Sequence, residues 1–186
     1  IEYPIDYREA DEDMFDLQKQ ASYTTSEIIR LRHEKSCADL AQSIASYKSG
    51  NAQALSGTDI FTDSSSKPVS AVKDALETVR KSIGKKPNVL WMGASVYEVL
   101  SEHAALIEKI KYSQKGIVTP DLMAAIFDVK EVVIGESVYS DGDDNFKDLW
   151  GNAIGACYVN RAKSRSYRDA SFGYTLRKKG FPQVDT

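Results

Sequence analysis

The sequence predicts an α+β protein in which one long helix precedes a layered unit of helices and strands. Residues 17–48 contain no Gly or Pro, and their apolar side chains recur at three- and four-residue spacing, as on one face of a helix. From about residue 55 to residue 160 the patterns follow the order helix, strand, helix, helix, strand, strand, which is typical of an α/β or α+β layer domain. A chain of 186 residues that is 42% hydrophobic and 27% charged can bury such a core.

The N-terminal stretch predicts a short edge strand followed by the long helix. Tyr3 and Ile5 alternate with polar residues, and a proline between them assigns this strand to a sheet edge. Asp16 is the predicted N-cap, because its carboxylate can accept hydrogen bonds from the first helical turn. The helix is predicted over Leu17 to Lys48, with a weak point at Thr24–Thr25 where it could break.

The predicted helix would measure about 45 Å, which is long for a compact domain of this size, so we expect it to form a spine. Its spacing also assigns two faces. The residues expected to face protein are Ile28, Leu31, Ala38, Ala41 and Ile44. The residues expected to face mostly outward are Arg30, Glu34 and Asp39.

The central stretch predicts helices on either side of a buried strand. The first helix would have Ser66 as N-cap and would end at Gly84, since glycine readily adopts the left-handed conformation that closes helices. An apolar run over 89–92 predicts the buried strand. Ser95 is the predicted cap of one surface helix that includes His103 and continues to about residue 112.

A short helix and two strands complete this unit. Thr119 is the predicted cap of the helix, and the strands surround a loop that contains Asp141, Asp143, Asp144 and Asp148. An EF-hand needs a central Gly and a terminal bidentate Glu, and this loop has neither at the required position. Asp and Gly are common in turns for backbone reasons. We therefore expect a solvated turn that binds no metal.

No arrangement of residues predicts a catalytic, cofactor or metal site. The two histidines, His33 and His103, have no nucleophile in an elbow-like turn and no metal-ligand spacing. Cys37 and Cys157 fit no metal pattern, and two free thiols are favoured over a disulfide. A net charge of −3 does not favour nucleic-acid recognition. No apolar run is long enough to span a bilayer.

The C-terminal stretch combines aromatic and basic residues and predicts an exposed, twisted strand over about 164–175. Its cations can contact phosphate, meet the acidic run 9–16 of a neighbouring chain, or simply face water. Strand edges present unpaired backbone groups to neighbours, and opposed charges guide docking. The candidate subunit-interface residues are therefore Tyr3, Ile5, Arg161, Arg165, Tyr167 and Arg168.

Three segments carry a resemblance to the major capsid (major head) proteins of tailed bacteriophages, including prophage copies. They are KPNVLWMGASVYEVLSEHAALIEKIKYSQKGIVTPDLMAAIFDVKEVVIGESVY, DLWGNAIGACYVN and SFGYTLRKKGFP. The shared pattern includes Pro-Asn before a strand and Trp-Gly before the next one, and IDYREAD ahead of the long helix is also similar. The resemblance covers most of the chain and is most specific over Lys86 to Asn160.

The resemblance implies a major-capsid fold with an axial α/β domain and a peripheral domain built on the spine helix. Residues 1–49 would form the peripheral domain, residues 50–160 the axial domain, and residues 161–186 a return strand to the peripheral domain. The family's N-terminal arm, extended loop and further C-terminal strands have no counterpart here, so the chain resembles a fragment of a longer subunit. No crosslinking lysine is assigned, because the segment that would carry it is not matched.

The function that the resemblance implies is structural and non-enzymatic. Subunits would assemble as pentamers and hexamers into an icosahedral head that encloses DNA without sequence-specific binding, and they would need no cofactor and no membrane. A scaffold or a protease can take part. The expected location is the virion capsid, assembled in the cytoplasm of a bacterial host.

Two alternatives stay open from the sequence. One is a nanocompartment shell protein, which shares the fold. The other is a small α/β enzyme in which the aspartates of 141–148 line a cleft. The cargo recovered with assembled protein would separate a phage head from a nanocompartment.

Overall fold

A computed structural model describes residues 16–111, 117–140, 142, 145–162, 166 and 168–176. The helices in these ranges are α1 (Leu17–Gln42), α2 (Pro68–Ile83), α3 (Ala94–Glu102), α4 (Ala104–Ile110) and α5 (Pro120–Phe127). The strands are β1 (Val89–Gly93), β2 (Glu131–Gly135), β3 (Val138–Ser140), β4 (Phe146–Asp148) and β5 (Ile154–Cys157). This mixture confirms the predicted α+β class.

Two compact units divide the described residues, 16–41 in the first and 42–176 in the second. The second contains every described strand and helices α2 to α5, and is called the sheet unit below. The domain boundaries predicted at residues 49 and 160 concern the assembled subunit and stay a prediction.

Helix α1 begins where the sequence predicts. The backbone N–H of Lys19 donates to Asp16 Oδ1 at 3.1 Å, which confirms Asp16 as the cap. The helix continues unbroken through Thr24–Thr25. It ends at Gln42 rather than at the predicted Lys48, because the backbone becomes extended at the next residue and then forms a short 3₁₀ turn.

The predicted faces of α1 are correct only in part. Ala38 and Ala41 are buried, and Ile28 and Leu31 are half-buried. Ile44 was expected to face protein but is 57% exposed, because it lies in the 3₁₀ turn beyond the helix. On the outward face Arg30 and Asp39 are exposed, whereas Glu34 is half-buried.

Strand β1 is the centre of a three-stranded sheet with the order β2-β1-β5. It runs parallel to β2 and antiparallel to β5. Four of its five residues are buried, which confirms the strand predicted from the apolar run. Leu90 and Met92 belong to the main core, together with side chains from all four helices of the sheet unit. The other buried members of this core are Val72, Val96, Leu100, Leu106, Ile110, Val118, Met123 and Phe127.

The loop before α2 is tied to the centre of the unit by a buried histidine. Ser66 is not the N-cap of α2, since that position belongs to Lys67. Instead Ser66 Oγ lies 3.1 Å from His103 Nε2, and both residues are buried. His103 Nδ1 accepts a hydrogen bond from the backbone N–H of Ala105 at 3.1 Å. The predicted surface position of His103 is therefore wrong.

The same histidine explains why one predicted helix is two. His103 adopts an extended backbone conformation, so α3 ends before it and α4 starts after it with the imidazole as its cap. Ser95 is not a cap either, because α3 begins at Ala94 and the Ser95 hydroxyl donates to Asn152 Oδ1 at 2.9 Å. By contrast, Gly84 and Thr119 cap α2 and α5 as predicted.

Aromatic side chains cover the sheet face opposite the main core. The ring of Trp91 lies 5.4 Å from that of Trp150 and 6.5 Å from that of Phe172, centroid to centroid. Gly155, the β5 residue paired with Trp91, provides the space for this indole, since a Cβ there would lie 2.4 Å from the ring. Gly135 provides the equivalent space for Trp150.

An asparagine extends the pairing of β1 with the chain that follows β5. Asn88 Nδ2 donates to the carbonyl oxygen of Val159 at 2.9 Å, and the Val159 N–H donates to Asn88 Oδ1 at 2.8 Å. Two hydrogen bonds between one side chain and one peptide segment fix the direction in which the chain leaves the sheet.

Candidate subunit interface

The candidate interface residues are only partly within the described structure. Arg161 and Arg168 are exposed. The Arg161 guanidinium forms an ion pair with Glu131 at the start of β2. The backbone N–H of Arg168 donates to Ser166 Oγ at 3.3 Å. Tyr3, Ile5, Arg165 and Tyr167 lie outside the described residues, so the proposed set as a whole stays a prediction.

The segment that follows β5 differs from its predicted conformation. None of the described residues among 161–176 forms a strand. Phe172 instead returns to the sheet unit, where its N–H donates to the carbonyl oxygen of Tyr158 at 2.8 Å and its ring contacts Trp91. The prediction of an exposed strand is therefore wrong for this described part. The segment is held by the contact of the Phe172 ring with Trp91 and not by the hydrogen bonds of a strand pair.

Strands β3 and β4 form an antiparallel hairpin, so the chain reverses within the aspartate-rich stretch as predicted. The predicted extent of the loop is wrong, because Asp148 lies in strand β4 and four strands replace the two that were predicted around the loop. Val138 pairs with Asp148, and Ser140 pairs with Phe146. Asp148 is exposed on β4, while Asp141, Asp143 and Asp144 lie outside the described residues. Among the described residues no group of three His, Cys, Asp or Glu side chains could hold a metal ion.

The hairpin also has an apolar character that the sequence interpretation missed. Phe146 is 75% exposed and Val138 is 45% exposed. Neighbouring strand pairs place both side chains on one face of the hairpin. A signal was present in the sequence, since Phe146 stands alone among Asp, Asn and Lys residues where a turn needs no aromatic group.

A second charged surface lies at the C-terminal end of α2. Arg80 and Lys81 both pair with Glu77. The hydrogen bond from Arg80 is the main reason that the pKa of the Glu77 carboxyl falls to about 2. Beyond the helix, Lys85 Nζ lies 5.0 Å from the centre of the Tyr158 ring, and Lys86 pairs with Asp128. The pair with Lys86 lowers the pKa of Asp128.

The cysteines and the remaining histidine occupy different environments. Both thiols are free, with Cys37 exposed on α1 and Cys157 buried in β5. Burial raises the pKa of the Cys157 thiol to about 11, so this sulfur is a poor nucleophile near neutral pH. His33 is exposed, and its Nε2 lies 3.9 Å from Cys37 Sγ, one helical turn away.

No helix in the part of the chain that the structure describes is long and apolar enough to cross a membrane. The apolar core of the sheet unit is instead built from side chains of short helices and strands that pack against one another.

Comparisons with known proteins agree with this architecture. The model of the phage major capsid protein E family matches residues 2–159. The major capsid protein of Burkholderia phage BcepMu is 49% identical over 189 aligned residues, which cover 100% of this chain and 62% of that protein. The major capsid protein of Pseudomonas phage JBD67 is 26% identical over 119 residues, which cover 63% of this chain and 37% of that protein.

A solved structure shows the same fold. The crystal structure of a phage-related protein from Bordetella bronchiseptica RB50 superposes with a TM-score of 0.83 and 32% sequence identity, covering 91% of this chain and 56% of that chain. The present chain thus spans less than two thirds of the length of each of these relatives. The resemblance predicted from residues 86–160 is confirmed and extends to α1, and the chain belongs to the phage major capsid protein E family.

Proposed function

We propose that the intact protein is the structural subunit of a phage head and assembles with copies of itself into a closed icosahedral shell around DNA. The observation that carries this proposal is the family match over residues 2–159. Two relatives that bear the name major capsid protein support it. None of these relatives is named as an enzyme or as a nanocompartment shell, so neither alternative gains support.

The surface of the described residues suits repeated weak association. Among the described residues of the sheet unit, the most exposed large apolar side chains are Phe146, Ile117 and Leu176. A shell multiplies modest contacts around its symmetry axes, so no single interface has to be large. Interfaces below about 1,000 Å² seldom hold two subunits together alone.

The finer features of the proposal follow from the family's architecture. Residues 50–160 would pack around five- and six-fold axes, and residues 1–49 and 161–186 would belong to the peripheral domain. The shell would enclose DNA without reading its sequence, and the net charge of −3 on this chain does not oppose enclosure. Assembly would take place in the cytoplasm of a bacterial host, with a scaffold or a protease where the phage encodes one.

The candidate interface residues give this proposal a specific form. Reversing the charges of Arg161, Arg165 and Arg168 should impair assembly more than folding, because exposed charges contribute little to stability yet guide docking. The chain of 186 residues alone should be monomeric or weakly associated, since it spans only 62% of the length of its Burkholderia phage relative.

The experiment is expression of the intact protein, with any scaffold it needs, followed by sedimentation, negative-stain imaging and identification of the enclosed cargo. We expect closed shells with DNA as cargo when the packaging machinery is present. Intact protein that stays soluble and never assembles would refute the proposal. Shells that recover an enzyme instead of DNA would favour the nanocompartment alternative.

A further inference from the structure

The β3–β4 hairpin presents an acidic and apolar surface. We define this hairpin surface as Glu136, Val138, Phe146 and Asp148, all four of which are exposed. Val138 and Phe146 lie on the same face as Asp148, as their pairing shows. Glu136 and Asp148 give this surface two exposed carboxylates and no cation. An exposed aromatic side chain among carboxylates has the character of an anchor in a protein interface.

A basic and apolar surface of opposite charge lies where α2 ends. We define this α2 surface as Lys81, Ile83, Lys85 and Lys86, which are all exposed. Residues 80–86 contain four cations and no acid, a net charge of +4. Cations in the last turn of a helix favour its dipole, and Lys81 also pairs with Glu77. Beyond the helix, Lys86 pairs with Asp128 and Lys85 Nζ lies 5.0 Å from the centre of the Tyr158 ring. Counting Glu77 and Asp128 against the four cations of residues 80–86 leaves this region with a net charge of +2.

The apolar component distinguishes the α2 surface from an ordinary solvated helix end. Ile83 is 40% exposed between the lysines, although it belongs to the apolar stripe that α2 otherwise directs to the core. Lysine side chains next to an exposed isoleucine can cover an incoming aromatic ring with their methylene groups. Each surface therefore combines an exposed apolar side chain with charges of the opposite sign to those of the other.

The two surfaces lie at opposite ends of the same sheet. The α2 surface lies just before β1 in the sequence. Only Pro87 and Asn88 stand between Lys86 and the first residue of that strand. The hairpin follows the last residue of β2, which runs parallel to β1. Its base is closed by a 2.9 Å hydrogen bond from the Leu149 N–H to the Ser137 carbonyl oxygen. A five-residue strand of about 16 Å thus separates the two ends of the sheet.

We propose that the hairpin surface of one copy docks on the α2 surface of a second copy, with Phe146 against Ile83 and the carboxylates of the hairpin beside Lys81 and Lys85. This inference rests on the proposed function for its choice of partner. Opposite surfaces on one rigid unit make a heterologous, head-to-tail contact, and such a contact closes into a ring when the rotation between copies permits. The contact supplies the lateral association of subunits within one pentamer or hexamer.

A charge exchange in the intact protein tests the electrostatic part of the contact. Asp148→Lys and Lys85→Glu should each lower the yield of shells by roughly tenfold. The double variant should restore assembly, because it recreates the pair with exchanged signs. Glu108→Lys and Lys109→Glu are matched controls on α4, which belongs to neither surface, and they should assemble like the wild type. Single variants that assemble normally, or a double variant no better than the singles, would overturn the inference.

A cysteine pair tests the apolar part and does not require shells. In a Cys37→Ser background, Phe146→Cys combined with Ile83→Cys should give a ladder of disulfide-linked oligomers on mild oxidation with diamide. Either substitution alone should give dimers at most. A ladder without shells in the wild-type protein would refute the proposed function and leave this contact standing. Shells without a ladder would leave the proposed function standing and refute this contact.

Discussion

Helices α1 and α2 look alike in the sequence but differ in what they bury. Both are free of interior Gly and Pro, and both have apolar residues at three- and four-residue spacing. Helix α2 contributes Val72 to the core of the sheet unit and packs Val69 and Leu76 against it. Helix α1 buries only alanines and leaves Tyr23 and Leu40 more than 60% exposed.

The difference shows that helical spacing predicts a helix without predicting that its apolar side chains are covered. Hydrophobic stabilisation scales with the apolar area removed from water, so a buried alanine contributes far less than a buried leucine. Helix α2 derives its stability from tertiary packing, as most helices in proteins do. The exposed apolar side chains of α1 are available for segments or subunits that the described residues do not include.

The largest expected effect is a core truncation in the sheet unit. Leu106→Ala should lower the free energy of unfolding by about 2–5 kcal/mol, because a fully buried leucine leaves a cavity when it is shortened. Leu40→Ala on α1 is the matched control and should change this free energy by less than about 0.5 kcal/mol. Urea denaturation followed by circular dichroism measures both. Equal losses for the two variants would erase the contrast between α1 and the core of the sheet unit.

The next effect concerns the space for Trp91. Gly155→Ala should cost about 1–3 kcal/mol, since the added methyl group would lie 2.4 Å from the indole and the ring must move. Gly173→Ala is the control, because a Cβ at that position meets nothing within 4 Å. Tryptophan fluorescence should shift only in the first variant. Unchanged emission and stability for Gly155→Ala would mean that the indole of Trp91 does not pack tightly against Gly155.

Alkaline pH should destabilise the folded state through the buried thiol of Cys157. Because the pKa of Cys157 is about 11 in the folded protein against an ordinary value of 9.0, the folded state keeps a proton that the unfolded state loses. Its stabilising contribution is present below pH 9 and is lost as the pH rises towards 11, by up to about 2 kcal/mol. Burial also raises the pKa of Tyr47, with the Cys157 thiolate as the second cause.

The measurement is chemical denaturation at several pH values between 8 and 11 on the wild type and on Cys157→Ala/Tyr47→Phe. The double variant should lose most of the slope. Iodoacetamide should label exposed Cys37 in the folded protein and leave Cys157 unmodified. Equal labelling rates at the two positions would contradict the buried placement of β5.

The smallest expected effects come from ion pairs on the two helices. Asp39→Ala removes one ion-pair partner of Lys35 on α1 and should cost about 0.2–0.5 kcal/mol at low salt and almost nothing in 1 M NaCl. On α2 the pKa of Glu77 is about 2, so its contribution is present above pH 4.5 and is lost as the pH falls towards 2. Glu77→Gln should remove that acid-dependent part. A loss for Asp39→Ala that persists in high salt would indicate a role beyond the ion pair.

The sequence predicted those parts of the fold that local chemistry determines. The caps at Asp16, Gly84 and Thr119 are correct, because each depends on one residue and the neighbouring turn. The buried strand β1 is correct, because only a covered strand tolerates so continuous an apolar run. The α+β class follows from the order of these elements.

The errors occur where a distant residue decides the local structure. Nothing near His103 reveals that Ser66 and the carbonyl oxygen of Asp63 approach its imidazole and bury it, so the break between α3 and α4 could not be predicted. The irregular path after β5 depends in the same way on Phe172 reaching Trp91. For the candidate interface, the charges of Arg161 and Arg168 correctly predicted that both side chains are exposed. Exposure alone does not identify what they bind.

The paired hydrogen bonds between Asn88 and Val159 have a consequence for how the sheet can end. In the register of β1 and β5, residue 87 would be the next backbone partner of Val159, and residue 87 is a proline that has no N–H to donate. The side-chain amide of Asn88 supplies both the donor and the acceptor of that missing peptide group. One side chain thereby holds the outgoing chain as though the strand continued, at the position where the proline of the incoming chain cannot donate.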